Sequence, residues 1–283
     1  KALLIEHAWF DDTLACGAHT HRPTEATIDR FTQAFAAAPV ANPDGTTGIN
    51  AVVDYGQGGP FTGGNLVPDA DGRLSTDIDG TDYLSHKAAH FASNRSGYFH
   101  YTLGVHNIYV TSFSSGVAEF DGDDLVVSLQ CYLGTEDVSN TLAHELGHNL
   151  GLQHGGDTPT NDKPNYNSVM NYRFQFAGVD ANCDATGDGV LDFSSGTRIT
   201  IDEHAILESD GVCGASPLDV NGNGSIDAAP LAFDWNADFT KGVLTDHDDW
   251  SALDFGGIGD ADGAGADAPS GPELIVEQPH PGS

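Results

Sequence analysis

The sequence predicts an α+β fold, and three observations carry that reading. Segments with apolar residues at helical spacing are interspersed with short strand-like runs. Loops rich in Gly, Pro and Asp separate them. No apolar run approaches the ~20 residues needed to span a membrane. The chain has 283 residues, 39% of them hydrophobic and 9% aromatic, which is enough for a sizeable core. Its charge is lopsided: Lys+Arg 10 against Asp+Glu 42, a formal net of −32. Such a field repels phosphate backbones and anionic lipid, so nucleic acid and acidic membrane surfaces are poor partners.

The elements follow in order. Thr24 to Ala38 carries Ile28, Phe31 and Phe35 at helical spacing, with Thr24 placed to cap the start and Pro39 closing the run. Asn50 to Tyr55 reads as a strand, Gly56 to Gly80 as loop, and Asp82 to Asn94 as a second helix. Tyr98 to Tyr109 holds one or two strands, and Asp124 to Leu129 a short buried one. Ser139 to Leu150 is a helix with Leu142, Leu146 and Leu150 on one stripe, ended by Gly151, which accepts a left-handed conformation. Asp246 to Trp250 reads as a helix start with acids in its first turn.

The character changes after residue 176. Residues 1–176 hold 21 acids and 8 bases, whereas residues 177–283 hold 21 acids and 2 bases. One domain over 1–255 is expected, with an N-terminal subdomain over 1–154 and a C-terminal subdomain over 155–255. A Gly-, Ala-, Asp- and Pro-rich tail or linker is expected over 256–283. The start at Lys1 is too short for a signal peptide and reads as a mature terminus whose leader is gone. The four cysteines, Cys16, Cys131, Cys183 and Cys213, form no CxxC pair, so a zinc-thiolate site is not indicated. Two disulfides in a secreted, extracellular protein fit better than four buried thiols. Of three connectivities, Cys16–Cys131 with Cys183–Cys213 is favoured, because each pair stays within one region of the chain.

The chemistry is concentrated in His144-Glu145-Leu146-Gly147-His148-Asn149-Leu150-Gly151-Leu152-Gln153-His154. His144 and His148 are four apart on a helix, so both imidazoles project toward one ion. Glu145 is near enough to reach a water on that ion without being a ligand. Gly151 breaks the helix so that the chain can turn and return His154 as a third nitrogen. Three histidines leave a coordination position open, the arrangement of catalytic rather than structural zinc. The plain alternative is a helix with exposed histidines and no metal. Ser114-Ser115-Gly116 lacks nucleophile-elbow spacing, so a serine hydrolase is not indicated. His100, His106, His204 and His247 read as core or surface histidines.

The pattern H-E-x-x-H-x-x-G-x-x-H resembles the signature of the metzincin metallopeptidases. Ser168-Val169-Met170-Asn171-Tyr172, with the chain's single methionine, resembles their Met-turn, which floors the zinc site. The segment Lys163 to Tyr172 is unlike the serralysin, astacin and matrix-metalloprotease versions and closer to less-described secreted bacterial metzincins. Weaker echoes are His21-Arg22-Pro23, Asn42-Pro43-Asp44-Gly45, Asp234-Trp235-Asn236 and Asp249-Trp250, so the resemblance covers about residues 3–255. It implies a zincin-like fold, a twisted mixed sheet with the zinc helix, and a zinc endopeptidase acting on proteins or peptides. It also implies that Tyr172 can ligate zinc at rest and steady an oxyanion; the alternative is a packing tyrosine. An extended substrate is expected along an edge strand, with Ser115 to Gly122 as part of the rim and Val169 to Phe176 near the S1′ wall.

A second metal class is suggested by the acidic loops. Asp219, Asn221, Asn223 and Asp227 match positions 1, 3, 5 and 9 of a calcium loop, although Pro230 stands where the bidentate Glu would be. Asp180, Asn182, Asp184, Asp188 and Asp192 repeat the pattern less cleanly; Asp234, Asn236 and Asp238 form a third set, and Asp69, Asp71 and Asp77 a fourth. The alternative is Asx turns in solvated loops. The expectation is a monomeric zinc endopeptidase with structural calcium. The rival reading is a catalytically silent zinc- and calcium-dependent binding or adhesion module.

Overall fold

The structure is a computed structural model and describes residues 1–69, 71–110, 112–256 and 274–281. Its strands are β1 (Ala2–Trp9), β2 (Asp11–Asp12), β3 (His19–Thr20), β4 (Asn50–Asp54), β5 (Arg73–Leu74), β6 (His100–Gly104), β7 (Asn107–Ile108), β8 (Gly116–Glu119), β9 (Asp124–Val127), β10 (Ile201–Asp202), β11 (Val243–Leu244) and β12 (Leu274–Val276). Its helices are α1 (Glu25–Ala36), α2 (Thr81–His90), α3 (Thr135–Asn149), α4 (Tyr172–Gln175) and α5 (Asp249–Ala252). Two compact units result: Lys1–Gly151 with Asp254–Ser283, and Leu152–Leu253. The boundary read at 154/155 thus falls after Gly151. Most of the tail read over 256–283 lies outside the described residues, but Leu274–Val276 form a strand within it.

The first unit is built on a mixed six-stranded sheet in the order β12-β8-β9-β6-β1-β4. The four strands β4, β1, β6 and β9 run parallel, and β8 and β12 are added antiparallel. The expected mixed sheet of an α+β protein is therefore present. One of its inner strands, β1, was not read from the sequence. The run Leu3-Leu4-Ile5 lacks the alternation of a half-solvated strand because an inner parallel strand is covered on both faces. Leu3, Ile5, Glu6, His7 and Ala8 are all buried.

Helices α1 and α3 pack on each other, α1 also against β4 and α3 against β8 and β9. Thr24 caps α1 as expected, its hydroxyl accepting from the Thr27 amide at 3.1 Å. The helix buries Ile28, Phe31 and Phe35, each worth about 1.5–3 kcal/mol of transfer free energy. A second apolar cluster takes Ala8, Leu103 and Val126 from the sheet, Tyr83 from α2, and Val67, Leu74 and Ile78 from the loop expected over 56–80. Among the described residues, no helix is long and apolar enough to cross a membrane.

The second unit has little regular structure. Its core holds Ile201, Ile206, Val212 and Leu244, with Cys183 and Cys213 packed against it. Buried carboxylates take over part of the ordering. Glu208 accepts from the amides of Val220, Asn221 and Asp227, and Glu203 from those of Trp235, Asn236 and Gly242. The disulfides are Cys16–Cys131 and Cys183–Cys213, the favoured pairing, and each lies within one unit.

Candidate metal centre

Helix α3 begins one turn earlier than read, at Thr135, and is buried from Val138 through Asn149. Leu142, Leu146 and Leu150 form the apolar stripe, but Ser139, Asn140, Thr141, His144, Glu145, His148 and Asn149 are buried too. A helix that hides this many polar side chains needs partners for them. Arg30 of α1 donates to Ser139 Oγ at 2.9 Å and Asn140 Oδ1 at 3.0 Å. The Asn149 amide donates to the carbonyls of Glu119 and Asp124, at 2.9 and 3.0 Å, and its oxygen meets His100 Nδ1 at 3.1 Å. Asn149 thereby locks the end of α3 to β8, β9 and β6. His100 is a core histidine, as read, and burial lowers its pKa to about 4.

The side chains this lock positions are His144 and His148. Their rings stand edge to face with centroids 4.8 Å apart, and their Nε2 atoms approach to 3.2 Å. Two nitrogens on one tetrahedral zinc, each at about 2.0–2.1 Å, would lie roughly 3.3 Å apart. Beside them both carboxylate oxygens of Glu145 are buried and have no hydrogen-bond partner among the described residues. Burial and the charge of Glu277 push the Glu145 carboxyl well above the usual range. A buried carboxylate without a partner, next to two convergent imidazoles, fits a bound metal ion with a water beside the carboxylate. Gly116 at the head of β8 makes the space: a Cβ there would fall 2.0 Å from Glu145 Oε1.

Glu277 is the residue that sequence reasoning missed. It directly follows β12, and its Oε2 lies 2.7 Å from His144 Nε2 and its Oε1 3.0 Å from His148 Nε2. His144, His148 and Glu277 offer ligand atoms within 4.8 Å of one another. Burial alone would raise Glu277, but the two imidazoles hold it well below the carboxylate range. No local motif marks it, because its place depends on β12 pairing with a strand more than 150 residues earlier in the chain.

In the second unit, Gly151 having turned the chain with φ +85°, Gln153 and Gly156 form a tight bridge around His154. The His154 and Tyr172 rings pack with centroids 4.3 Å apart. Met170 is fully buried. Its turn is held by Asn171, whose amide donates to the carbonyls of Lys163 at 2.7 Å and Tyr166 at 2.9 Å. Tyr166 in turn donates to the Asp249 carboxyl, which burial pushes up to about 7.

The acidic loops are ordered by hydrogen bonds from their own backbone and side-chain amides to their carboxylates. Asp219 accepts from the amides of Asn223 and Gly224, while Asn221 and Asn223 both donate to Asp227 at 2.9 Å. Asp180 accepts from Cys183, Asp184 and Ala185 and pairs with Arg198 at 2.8 Å. Asp188 accepts from Ala181 and Asn182, and Asp184 from Thr186. Asp192 leaves that set and accepts from the Trp250 indole at 3.0 Å. Asp71 and Gly72 donate backbone amides to Asp69, whereas Asp77 instead accepts from the Tyr109 hydroxyl. Compared with known protein families, curated proteins and solved structures, the chain matches none.

Proposed function

We propose that the protein is a secreted zinc endopeptidase of metzincin type. The observation that carries the reading is the convergence of the His144 and His148 Nε2 atoms beside the buried, unpartnered carboxylate of Glu145. The motif spacing assigns His154 as the third ligand. When bound, zinc supplies a Lewis acid that acidifies an attacking water and polarises the scissile carbonyl. Glu145 takes the water's proton and passes it to the leaving amine, and its burial suits it to hold a proton between the two steps. Tyr172, packed on His154, offers its hydroxyl to the developing oxyanion. Met170 forms the apolar floor. Substrate lies extended along the edge of β8 that β12 covers in this structure, by strand addition. Calcium is assigned to the Asp219–Asp227 and Asp180–Asp192 loops, and the two disulfides suit an oxidising extracellular setting.

The test is Glu145→Ala. Cleavage of casein should disappear while zinc content stays unchanged; cleavage that survives in the purified variant overturns the mechanism. A second reading, the catalytically silent zinc- and calcium-dependent binding module, has one observation in its favour: Glu277 occupies the position facing both Nε2 atoms. It predicts zinc binding with no peptide hydrolysis by any variant.

A further inference from the structure

A second donor cluster lies in the first unit, on the β2–β3 hairpin and the turn after β6. Asp12 Oδ2 is 2.8 Å from His21 Nε2, 3.4 Å from His19 Nε2 and 3.4 Å from His106 Nδ1, and His106 Nδ1 is 3.3 Å from His19 Nε2. These four ligand atoms all lie within 4.8 Å of one another. We propose that Asp12, His19, His21 and His106 form a closed, structural zinc site. The contacts scatter around the roughly 3.3 Å edge of a zinc tetrahedron with three nitrogens and one oxygen. The atoms behind the donors orient them. Leu14 donates its amide to Asp12 Oδ1 at 2.8 Å, which leaves Oδ2 for the cluster. His19 Nδ1 lies 2.7 Å from the Gly17 carbonyl, which places its proton there and turns the Nε2 lone pair inward. Gly72, at φ +70°, passes so close that a Cβ would meet Asp12 Cβ at 2.4 Å, and its carbonyl accepts from the His106 amide.

Side-chain exposures of 12, 3, 3 and 5% for His19, Asp12, His21 and His106 leave no open position for substrate, so the role is structural. The same loops are stapled by Cys16–Cys131, with Gln130 donating to the His106 carbonyl. This proposal does not rest on the peptidase reading. Its test is zinc stoichiometry of the purified full chain by mass spectrometry, with the tetrahedral visible band of the cobalt-substituted protein as second readout. Wild type should hold two equivalents, His106→Gln one, and His144→Gln/His148→Gln one with the tetrahedral band retained. A wild type with one equivalent that His106→Gln leaves intact, or no cobalt band beyond that of the α3 histidines, overturns it.

A second inference comes from β12 and does rest on the peptidase reading. Residues 274–276 pair antiparallel with 117–119 of β8, the edge assigned to substrate. The ladder continues as Glu277 donates its amide to the Gly116 carbonyl at 3.2 Å and Ser115 donates to Gln278 at 3.0 Å. The His280 ring stacks on Tyr132 at 3.8 Å. We infer that the 274–280 segment is a substrate-like plug that holds the enzyme in check, with Glu277 filling the place of the attacked group. Glu277→Ala and Ile275→Pro, the latter removing a backbone donor from the strand, should each raise kcat/KM for peptide cleavage tenfold or more at unchanged zinc content. If wild type is already as active as both variants, the plug fails and the peptidase reading stands. If zinc-loaded wild type and both variants are all inert, the peptidase reading itself fails.

Discussion

Gly116 is a small residue with a large consequence. Its missing Cβ is the room in which Glu145 sits, so Gly116→Ala must shift either β8 or the carboxylate. A displacement of about 1 Å at a reacting group costs on the order of 100-fold in rate. Gly116→Ala should therefore lower kcat/KM about that much with zinc content unchanged, as read by peptide kinetics and metal analysis. Asp249 governs a pH effect in the other unit. Its folded pKa of about 7 stands above the ordinary 3.8, so its contribution to stability is full below about pH 4 and is lost as pH rises through 7. Asp249→Asn keeps an acceptor for Tyr166 but cannot ionise. Its melting temperature should fall less between pH 5 and 8 than that of wild type, by the equivalent of roughly 2–4 kcal/mol. Equal slopes in the two proteins would contradict this.

At the scale of elements, α3 is held by what its far end grips. Asn149 satisfies two strand carbonyls and one imidazole at once. Asn149→Ala leaves these buried groups unpaired, at a cost of about 3 kcal/mol, which is a fall in Tm of roughly 6–12 °C for a domain of this size. A shift under 2 °C by calorimetry would show that the lock is dispensable. Helix α3 and its histidine pair were legible in the sequence because their information is local: a stripe at i, i+4, i+8, two histidines at i, i+4, and a glycine stop. Helix α1 was legible for the same reason, from Thr24 through Phe35. Strand β1 was not, because burial on both faces erases alternation. Glu277 and the Asp12–His106 cluster were not, because their meaning depends on pairing between distant segments. His106 read as an ordinary core or surface histidine for want of any nearby ligand pattern.

On the whole-molecule scale, the net charge of −32 divides into kinds. Some acids are buried keystones, such as Glu203 and Glu208, which accept amides and order the second unit in place of helices and strands. Others lie in the Asp219–Asp227 and Asp180–Asp192 loops, where calcium would neutralise part of the charge. A calcium-selective chelator should lower the melting temperature by several degrees, restored by calcium and not by zinc; an unchanged melting curve would remove calcium from the account. The proposed hydrolysis takes place at the α3 histidines with Glu145 as base. Its most direct measurement is peptide-bond cleavage by zinc-loaded Glu277→Ala protein, with and without Glu145→Ala in the same chain. Cleavage is expected in the first and its loss in the second at equal zinc content. Cleavage at equal rates in both would contradict it.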